Sequence, residues 1–344
     1  MTTRVAILDD FHQVAMKLAD WSQLKDCEVV AFQDHIYDAD GLVERLKSFD
    51  VVCAMRERTA FPREVFERLP RLKLLMVTGG RHTRVFDFDA ALDHGVTVCR
   101  SDNYIPTNDG SQPRGGTQVL TFGLIVSLLR QIVAEDRGIR KGGWVSSLAG
   151  NSTLSGLTLG VLGLGRIGVD IVEIGRFFGM NVVAWSENLT DERAAAAGAT
   201  RVSKEDLFRQ ADFVTVHMRL SDRTMRLVST PEFKLMKPSA YFINTSRGEI
   251  VDEKALIDAL QRKAIAGAAL DVFEVEPLPL DSPLRKLENV ILTPHIGYIS
   301  EAKLKMFYES MCEGVQAWLD GNPIRMLKPR SPGESRSTGY WVDA

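Results

Sequence analysis

Cysteine is scarce in this chain, and neither sign of charge dominates. The 344 residues include four cysteines, at positions 27, 53, 99 and 312, and no two of them form a CxxC pair. Scattered cysteines of this kind are typical of reduced, buried side chains and not of a disulfide framework. A formal net charge of −3 gives no electrostatic reason to expect nucleic acid or an anionic membrane as a partner.

Long apolar segments are also lacking. Residues 1–10 form a short apolar run that ends in Asp9-Asp10, without the basic start and extended apolar core of a signal peptide. No later run approaches the length that a membrane-spanning helix needs. We therefore expect a cytoplasmic protein with no membrane partner. With 344 residues, 45% of them hydrophobic and 25% charged, the chain has the composition of a globular protein and room for two domains.

Short apolar runs alternate with helical stretches from the first residues onward. Buried strands are predicted at residues 5–8, 28–32, 51–55, 74–77 and 96–98. Helices are predicted between them, at residues 40–48 and at residues 63–69, the second with Pro62 at its first turn. Such alternation predicts parallel strands joined by crossover helices, which is an α/β fold.

The alternation resumes after one long apolar helix, predicted at residues 116–131. Further strands are predicted at residues 157–162, 182–185, 213–217, 241–244, 266–270 and 290–292. A helix predicted at residues 300–319 can pack only by returning to the first unit. The sequence therefore predicts one domain inserted into another. The outer domain comprises residues 1–101 and 298–328, and the inserted domain comprises residues 102–297. A mobile tail rich in Pro, Ser and Gly is predicted at 329–344.

A glycine-rich turn stands between a predicted strand and the helix that follows it. Gly163, Gly165 and Gly168 form a GxGxxG pattern. The first glycine permits a tight turn, the second lets a pyrophosphate approach the backbone, and the third lets the helix lie close to the strand. Arg166 and Ile167 begin the helix, whose N–H groups and positive dipole end favour a phosphate. In this context the pattern predicts a dinucleotide site.

A carboxylate follows the next strand, close to the spacing expected for a ribose contact. Glu187 comes after Ser186, about 20 residues beyond the glycine turn. A carboxylate there accepts hydrogen bonds from the ribose hydroxyls and repels a 2′-phosphate, which favours NAD over NADP. The alternative is a solvated loop carboxylate, and Ser186 stands where an acid is often found in such folds.

Five ordered motifs in the second half of the chain resemble the D-isomer-specific 2-hydroxyacid dehydrogenase family. They are GLGRIG at 163–168, LMKP at 235–238, FINTSRG at 242–248, ALDVFEVEPL at 269–278 and TPHIG at 293–297. The resemblance implies two Rossmann-like, doubly wound parallel-sheet domains, with the cofactor domain inserted into a flavodoxin-like substrate domain. It also implies an NAD-dependent oxidoreductase that moves a hydride between nicotinamide and C2 of a small D-2-hydroxy or 2-oxo acid.

Three of these motifs carry the side chains that such a reaction needs. Arg247, just past a strand end, can hold a carboxylate with its two-pronged guanidinium and polarise the 2-oxygen. His295 can take and return the hydroxyl proton, because imidazole exchanges protons near neutral pH. Glu276 can bond to the far ring nitrogen of His295 and fix its orientation. The resemblance assigns the same three roles, although each residue taken singly is also compatible with a surface or loop position.

The resemblance points to further contacts on both sides of the site. Residues implied on the cofactor side are His217, Thr245 and Asp271, the last two beside the nicotinamide. Residues implied on the substrate side are Arg56, Gly79 and Gly80, the two glycines through their backbone N–H groups. A solvated loop arginine is the alternative for Arg56. Relatives are usually homodimers, and we expect the same here.

Some alternatives stay open at this point. Glu276 speaks against formate, because formate dehydrogenases of the family carry glutamine there. Reduction of glyoxylate or hydroxypyruvate and oxidation of 3-phosphoglycerate both fit the motifs. An NAD-sensing scaffold, like the family's transcriptional co-repressors, is the alternative to an enzyme, although no peptide-docking segment or basic patch is recognisable. Val119 and the long polar loop at 108–115 depart from the family pattern.

Overall fold

The computed structural model describes residues 2–79, 85–102, 115–144, 153–329 and 341–343. The chain divides into two compact units, which we name unit 1 (Met1–Pro113 with Ser300–Ala344) and unit 2 (Arg114–Ile299). Each unit is built on a parallel sheet with helices between its strands, and unit 2 is inserted into the sequence of unit 1. The predicted fold class is confirmed.

Unit 1 is organised around a parallel sheet whose described strands have the order β2-β1-β3-β4-β5. Its elements before unit 2 are β1 (Thr3–Ile7), α1 (Ala15–Leu18), β2 (Cys27–Ala31), α2 (Ala39–Leu46), β3 (Val51–Ala54), α3 (Arg63–Glu67), β4 (Leu74–Val77), α4 (Phe88–Asp93) and β5 (Thr97–Arg100). Every residue of β3 and β4 is buried, which is typical of central parallel strands. The order is flavodoxin-like and reverses between β1 and β3, so ligands are expected at the carboxyl ends of these strands.

Unit 2 is organised around a second parallel sheet, whose described strands have the order β12-β11-β10-β9-β6-β7-β8. Its elements are α5 (Gly116–Leu129), α6 (Ile132–Arg140), β6 (Thr158–Leu162), α7 (Arg166–Phe177), β7 (Asn181–Trp185), α8 (Asp191–Ala196), β8 (Thr200–Arg201), α9 (Lys204–Gln210), β9 (Phe213–Val216), α10 (Thr230–Leu235), β10 (Tyr241–Asn244), α11 (Glu253–Gln261), β11 (Gly267–Leu270) and β12 (Val290–Leu292). This is a Rossmann order, and it reverses between β6 and β9.

The long helix predicted at residues 116–131 corresponds to α5, which ends two residues earlier than predicted. α5 ends at Leu129, and Gln131, with a φ of 54°, turns the chain into α6. The prediction is wrong at this end because apolar periodicity does not reveal one residue in the left-handed region. No single helix among the described residues is long and apolar enough to cross a membrane. α5 and α6 meet that criterion only as a pair bent by 64°, and α5 packs in the core of unit 2.

The chain returns to unit 1 after unit 2. α12 (Glu301–Leu319) packs on β4 and β5. Gly314 faces the end of the Met76 side chain on β4, which a Cβ atom at this position would displace. β13 (Leu327–Pro329) then pairs antiparallel with β14 (Trp341–Asp343). Residues 330–340 and 344 of the predicted mobile tail lie outside the described residues, as do residues 108–114 of the polar loop.

Candidate active site

The glycine turn joins β6 to α7 in the way that its sequence predicts. Gly163 has a φ of 99°, and a Cβ atom there would lie 2.7 Å from the carbonyl oxygen of His217. At Gly168 a Cβ atom would collide with the carbonyl oxygen of Gly163, so only glycine lets α7 lie this close to the turn. Apart from its chain neighbours, no described residue has an atom within 4 Å of a Cβ atom built on Gly165, the N-cap of α7. The turn therefore leaves room for a ligand beside its backbone.

A pocket opens at the carboxyl end of β7, the strand next to β6 in the sheet. Residues that line it include Trp185, Ser186, Glu187, Met218, Arg223 and Leu227. Near it, the first turn of α7 carries N–H groups that have no partner within the helix, as at any helix start. Backbone donors beside an open glycine suit the phosphates of a dinucleotide, and an exposed carboxylate in the pocket suits a ribose. The residues present therefore fit NAD.

His217 follows β9 and borders the glycine turn. Its Nε2 lies 2.9 Å from the hydroxyl oxygen of Thr215. Burial lowers the pKa of His217 to about 3. The ring is therefore neutral near pH 7, and it is unsuited to be a second proton carrier.

The low pKa of His217 predicts a loss of stability in acid. The unfolded chain binds this proton near pH 6.5 and the folded ring only near pH 3, so stability falls as the pH drops through that window. We expect the free energy of unfolding of the wild type to fall by up to about 1.4 kcal/mol more per pH unit than that of His217→Gln. Urea unfolding of both proteins across the window measures the difference, and parallel curves would contradict it.

The turn after β10 sets the backbone of Arg247. Asn244 accepts a hydrogen bond from the N–H of Ser246 (3.0 Å) and donates one to the carbonyl oxygen of Arg247 (2.9 Å). A Cβ atom at Gly248 would collide with the backbone of Phe273, so glycine lets this turn lie against the loop after β11. The half-buried Arg247 is thus held beside that loop.

Glu276 and His295 are in direct contact. Nδ1 of His295 lies 2.6 Å from Oε2 of Glu276, while Oε1 of Glu276 accepts a 2.9 Å hydrogen bond from the N–H of Phe273. The side chains of His295 and Glu276 are 18% and 25% exposed. With Nδ1 engaged by the carboxylate, Nε2 is the ring nitrogen that can exchange a proton with a ligand.

The three predicted catalytic residues follow neighbouring strands. β10, β11 and β12 are adjacent and parallel, and Arg247, Glu276 and His295 come after them in that order. The carboxyl ends of adjacent parallel strands lie at the same edge of the sheet, which is where ligands bind in folds of this kind. The structure therefore brings these side chains to one edge of unit 2.

Asp271 shapes the loop that carries His295. Its buried carboxylate accepts hydrogen bonds from the hydroxyl of Thr293 (2.6 Å) and from the N–H groups of Ile296 (2.9 Å) and Gly297 (2.8 Å). Burial raises the pKa of Asp271, and these three hydrogen bonds counter the rise. The carboxylate expected beside the nicotinamide is thus also an anchor of the loop.

Two other side chains complete the surroundings of the site. Thr245, also expected beside the nicotinamide, has its hydroxyl oxygen 2.9 Å from that of Thr121 on α5. Tyr298, which was not predicted from the sequence, has its ring edge to face with that of His295, with centroids 5.7 Å apart. The only signal in the sequence is its position three residues after the histidine, and an aromatic residue there reads as ordinary packing.

Two of the predicted substrate residues lie together in unit 1. Arg56 has a φ of 57°, and its N–H donates a 2.7 Å hydrogen bond to the hydroxyl of Thr78. Its guanidinium covers Gly79, since a Cβ atom there would lie 2.5 Å from Nη1 of Arg56. Both follow the carboxyl ends of neighbouring strands, β3 and β4. Gly80, the third predicted residue, lies outside the described residues.

Comparison with known proteins identifies the family. Residues 122–297 match the family model of the D-isomer specific 2-hydroxyacid dehydrogenase NAD binding domain. A glyoxylate reductase of Thermococcus litoralis is 33% identical over 81% of this chain and 83% of its own length. The chain belongs to this family. A D-3-phosphoglycerate dehydrogenase of Methanocaldococcus jannaschii is 32% identical over 92% of this chain, which spans 58% of that relative's length.

Solved structures agree with this assignment. A phosphoglycerate oxidoreductase from Vibrio cholerae superposes with a TM-score of 0.82 at 32% identity, covering 93% of this chain and 99% of its own. An oxidoreductase from Ralstonia solanacearum gives a TM-score of 0.85 at 34% identity, with 94% and 96% covered. This dehydrogenase is therefore an NAD-dependent oxidoreductase that acts on the CH–OH group of a small hydroxy acid.

Proposed function

We propose that His295 is the acid–base residue of a hydride transfer at C2 of a small D-2-hydroxy or 2-oxo acid. The 2.6 Å contact between His295 and Glu276 carries this proposal. Held through Nδ1, the imidazole takes the hydroxyl proton at Nε2 during oxidation and returns it during reduction. Glu276 stabilises the protonated ring and keeps it in one orientation. NAD, when bound, accepts or supplies the hydride.

Arg247 is the residue that binds the substrate's carboxylate and polarises its 2-oxygen. A guanidinium forms two parallel hydrogen bonds with a carboxylate, so it fixes orientation as well as charge. The hydrogen bonds of Asn244 and the close approach at Gly248 hold the backbone of Arg247 in place before a ligand arrives. Little of the binding free energy is then lost in ordering the backbone of Arg247.

Arg56, Gly79 and Gly80 are the proposed substrate contacts in unit 1. The φ of 88° at Gly79 turns the backbone at the end of β4 in a way that other residues rarely adopt. A backbone turned in this way can direct N–H groups to a carboxylate. The guanidinium of Arg56 lies against Gly79 at this turn.

A panel of 2-oxo acids tests the reaction. NADH consumption, followed by absorbance, is expected with at least one of glyoxylate, hydroxypyruvate and the phosphate ester of hydroxypyruvate. The reason is that His295, the proton donor, and Arg247, the carboxylate-binding residue, follow strands at the same edge of the sheet. Tight NADH binding with no turnover of any 2-oxo acid would favour the NAD-sensing scaffold.

The cofactor residues are the glycine turn and Glu187. Gly163, Gly165 and Gly168 shape the turn. The backbone N–H groups at the start of α7, around Arg166 and Ile167, bind the phosphates of NAD. Glu187 accepts hydrogen bonds from the adenosine ribose hydroxyls and repels a 2′-phosphate, so NAD and not NADP is the proposed cofactor. His217, Thr245 and Asp271 border the nicotinamide side.

Glu187→Ala is expected to weaken NADH binding about tenfold, because two hydroxyl hydrogen bonds to a charged acceptor are lost. Binding of NADPH should change less, since the repulsion of its 2′-phosphate is lost at the same time. Dissociation constants measured by fluorescence titration report both effects. Glu192→Ala, on the exposed first turn of α8, is the control. An unchanged NADH/NADPH ratio would remove Glu187 from the ribose site.

A second copy of this chain is the proposed protein partner. Large apolar side chains of unit 2 are exposed on and beside α5, α6 and α7: Val119 (71%), Ile139 (52%), Trp144 (82%) and Phe177 (83%). Large apolar side chains exposed on neighbouring helices are typical of an interface between proteins.

Phe177→Asp is therefore expected to shift a homodimer toward monomer, because the new carboxylate would lose its hydration on association. Sedimentation velocity measures the shift. Leu92→Asp places the same charge on an exposed apolar position of α4 in unit 1 and should leave the assembly unchanged. A wild type that sediments as a monomer at micromolar concentration would contradict the proposal.

The proposed compartment is the cytoplasm. All four cysteines are free thiols, and Cys53, Cys99 and Cys312 are buried. Thiols that persist without pairing are typical of a reducing compartment.

A further inference from the structure

A carboxylate stands against the proposed substrate-binding arginine of unit 1. Oε2 of Glu57 lies 3.2 Å from Nε of Arg56, and both side chains are 14% exposed. Charges interact more strongly where water is largely excluded than on an open surface. Glu57 therefore offsets much of the positive charge that Arg56 presents to a ligand.

The backbone that carries this ion pair is held on both sides. The N–H of Arg56 donates to the hydroxyl of Thr78 (2.7 Å). Past the pair, the hydroxyl of Thr59 donates to the buried carboxylate of Asp9 (2.7 Å). Because the loop is anchored on both sides to the ends of neighbouring strands, the largely buried Glu57 lies on a backbone that is held in place next to Arg56.

The other arginine of the loop is engaged as well. Nη1 of Arg58 donates a 2.8 Å hydrogen bond to the carbonyl oxygen of Asp9, and its guanidinium lies 4.9 Å from the ring centroid of Phe11. Asp9 and Asp10, at the end of β1, are 1% and 2% exposed. The carboxylate of Asp9 lies 2.8 Å from Nδ1 of His35, and that of Asp10 accepts backbone N–H groups. Among the described residues of these loops, Glu57 is therefore the carboxylate that faces a guanidinium, and an arginine already paired in this way is a weaker partner for a phosphate.

We propose that Glu57 is a specificity-determining residue that restricts the substrate to 2-oxo acids with a single negative charge and disfavours those with a distal phosphate. The inference rests on the proposed function, in which Arg56 contacts the substrate. A carboxylate next to that contact repels a second anionic group, and a repulsive element of this kind discriminates between substrates that share every attractive contact. At an effective dielectric constant of about 20, one charge within roughly 6 Å of a phosphate changes its binding by tenfold or more.

Hydroxypyruvate and its phosphate ester are the matched probes, since they differ only in the phosphate. Calorimetric titration of the NAD⁺-bound enzyme, which holds no hydride to reduce either compound, is expected to show tighter binding of hydroxypyruvate by the wild type. Glu57→Gln should shift the ratio of the two dissociation constants at least about tenfold toward the ester. Glu57→Asp keeps the charge and should retain the wild-type preference. Glu67→Gln removes an equal charge from an exposed position on α3 and should shift nothing.

Two results would overturn the inference: tighter binding of the ester by the wild type, or an unchanged ratio in Glu57→Gln. Initial rates with the same two compounds separate it from the proposed function. A shifted binding ratio without turnover of either compound would defeat the proposed reaction alone, and turnover with an unchanged ratio would defeat the role of Glu57 alone. If Arg56→Gln leaves both dissociation constants unchanged, the substrate role of Arg56 fails, and the inference fails with it.

Discussion

His295→Ala is expected to lower kcat by about 10²–10⁴-fold, the contribution of a positioned general acid–base residue. The dissociation constant of NADH should stay within about twofold, because the imidazole acts on the substrate's proton and not on the cofactor. Initial rates with the best 2-oxo acid and a fluorescence titration with NADH measure the two quantities separately.

His94→Ala is the matched control for this variant. His94 is an exposed histidine at the end of α4 in unit 1, so its loss should leave both quantities unchanged. Wild-type kcat in His295→Ala would remove the residue from the mechanism. A large loss of NADH affinity would instead indicate that the 293–297 loop, anchored by Asp271, had rearranged.

Arg247→Ala should lower kcat/KM by about 10²–10⁴-fold, because two charge-assisted hydrogen bonds to the substrate are lost. Arg247→Lys should recover little of this loss, since an ammonium group cannot reproduce the planar two-pronged contact. NADH affinity should remain near that of the wild type in both variants. Steady-state kinetics over a range of substrate concentrations gives the measurement.

Arg262→Ala is the corresponding control. Arg262 forms an exposed ion pair with Asp258 at the end of α11, a contact that contributes little to stability and lies outside the motifs. If Arg247→Lys retains wild-type kcat/KM, the guanidinium geometry is irrelevant, and the proposed two-pronged contact of Arg247 with the substrate's carboxylate is wrong.

Much of the fold follows from local pattern. The strands predicted at 74–77, 241–244 and 290–292 coincide with β4, β10 and β12. Buried parallel strands are continuous apolar runs, which make them the easiest elements to recognise. The helix predicted at 116–131 is wrong at its end, because the left-handed residue Gln131 leaves no trace in the apolar pattern.

The catalytic residues of the candidate site could be predicted because the reaction needs a specific type of side chain for each role. Arg247, Glu276 and His295 stand in short motifs after strands, and their order along the sheet follows from parallel pairing. Contacts between distant segments were not predictable. Neither the anchoring of the 293–297 loop by Asp271 nor the edge-to-face contact of Tyr298 with His295 has a local signature.

The sequence by itself determined that two parallel α/β units form, that one carries a glycine turn for a dinucleotide, and which three side chains follow its adjacent strands. Those properties depend on apolar periodicity and on residue chemistry, both of which are local. Only the tertiary structure decided that Nδ1 of His295 faces Glu276, that the ring of His217 is held neutral, and that Glu57 stands against Arg56. Each of these depends on burial and on the distance between particular atoms, and the packing of the whole chain decides both.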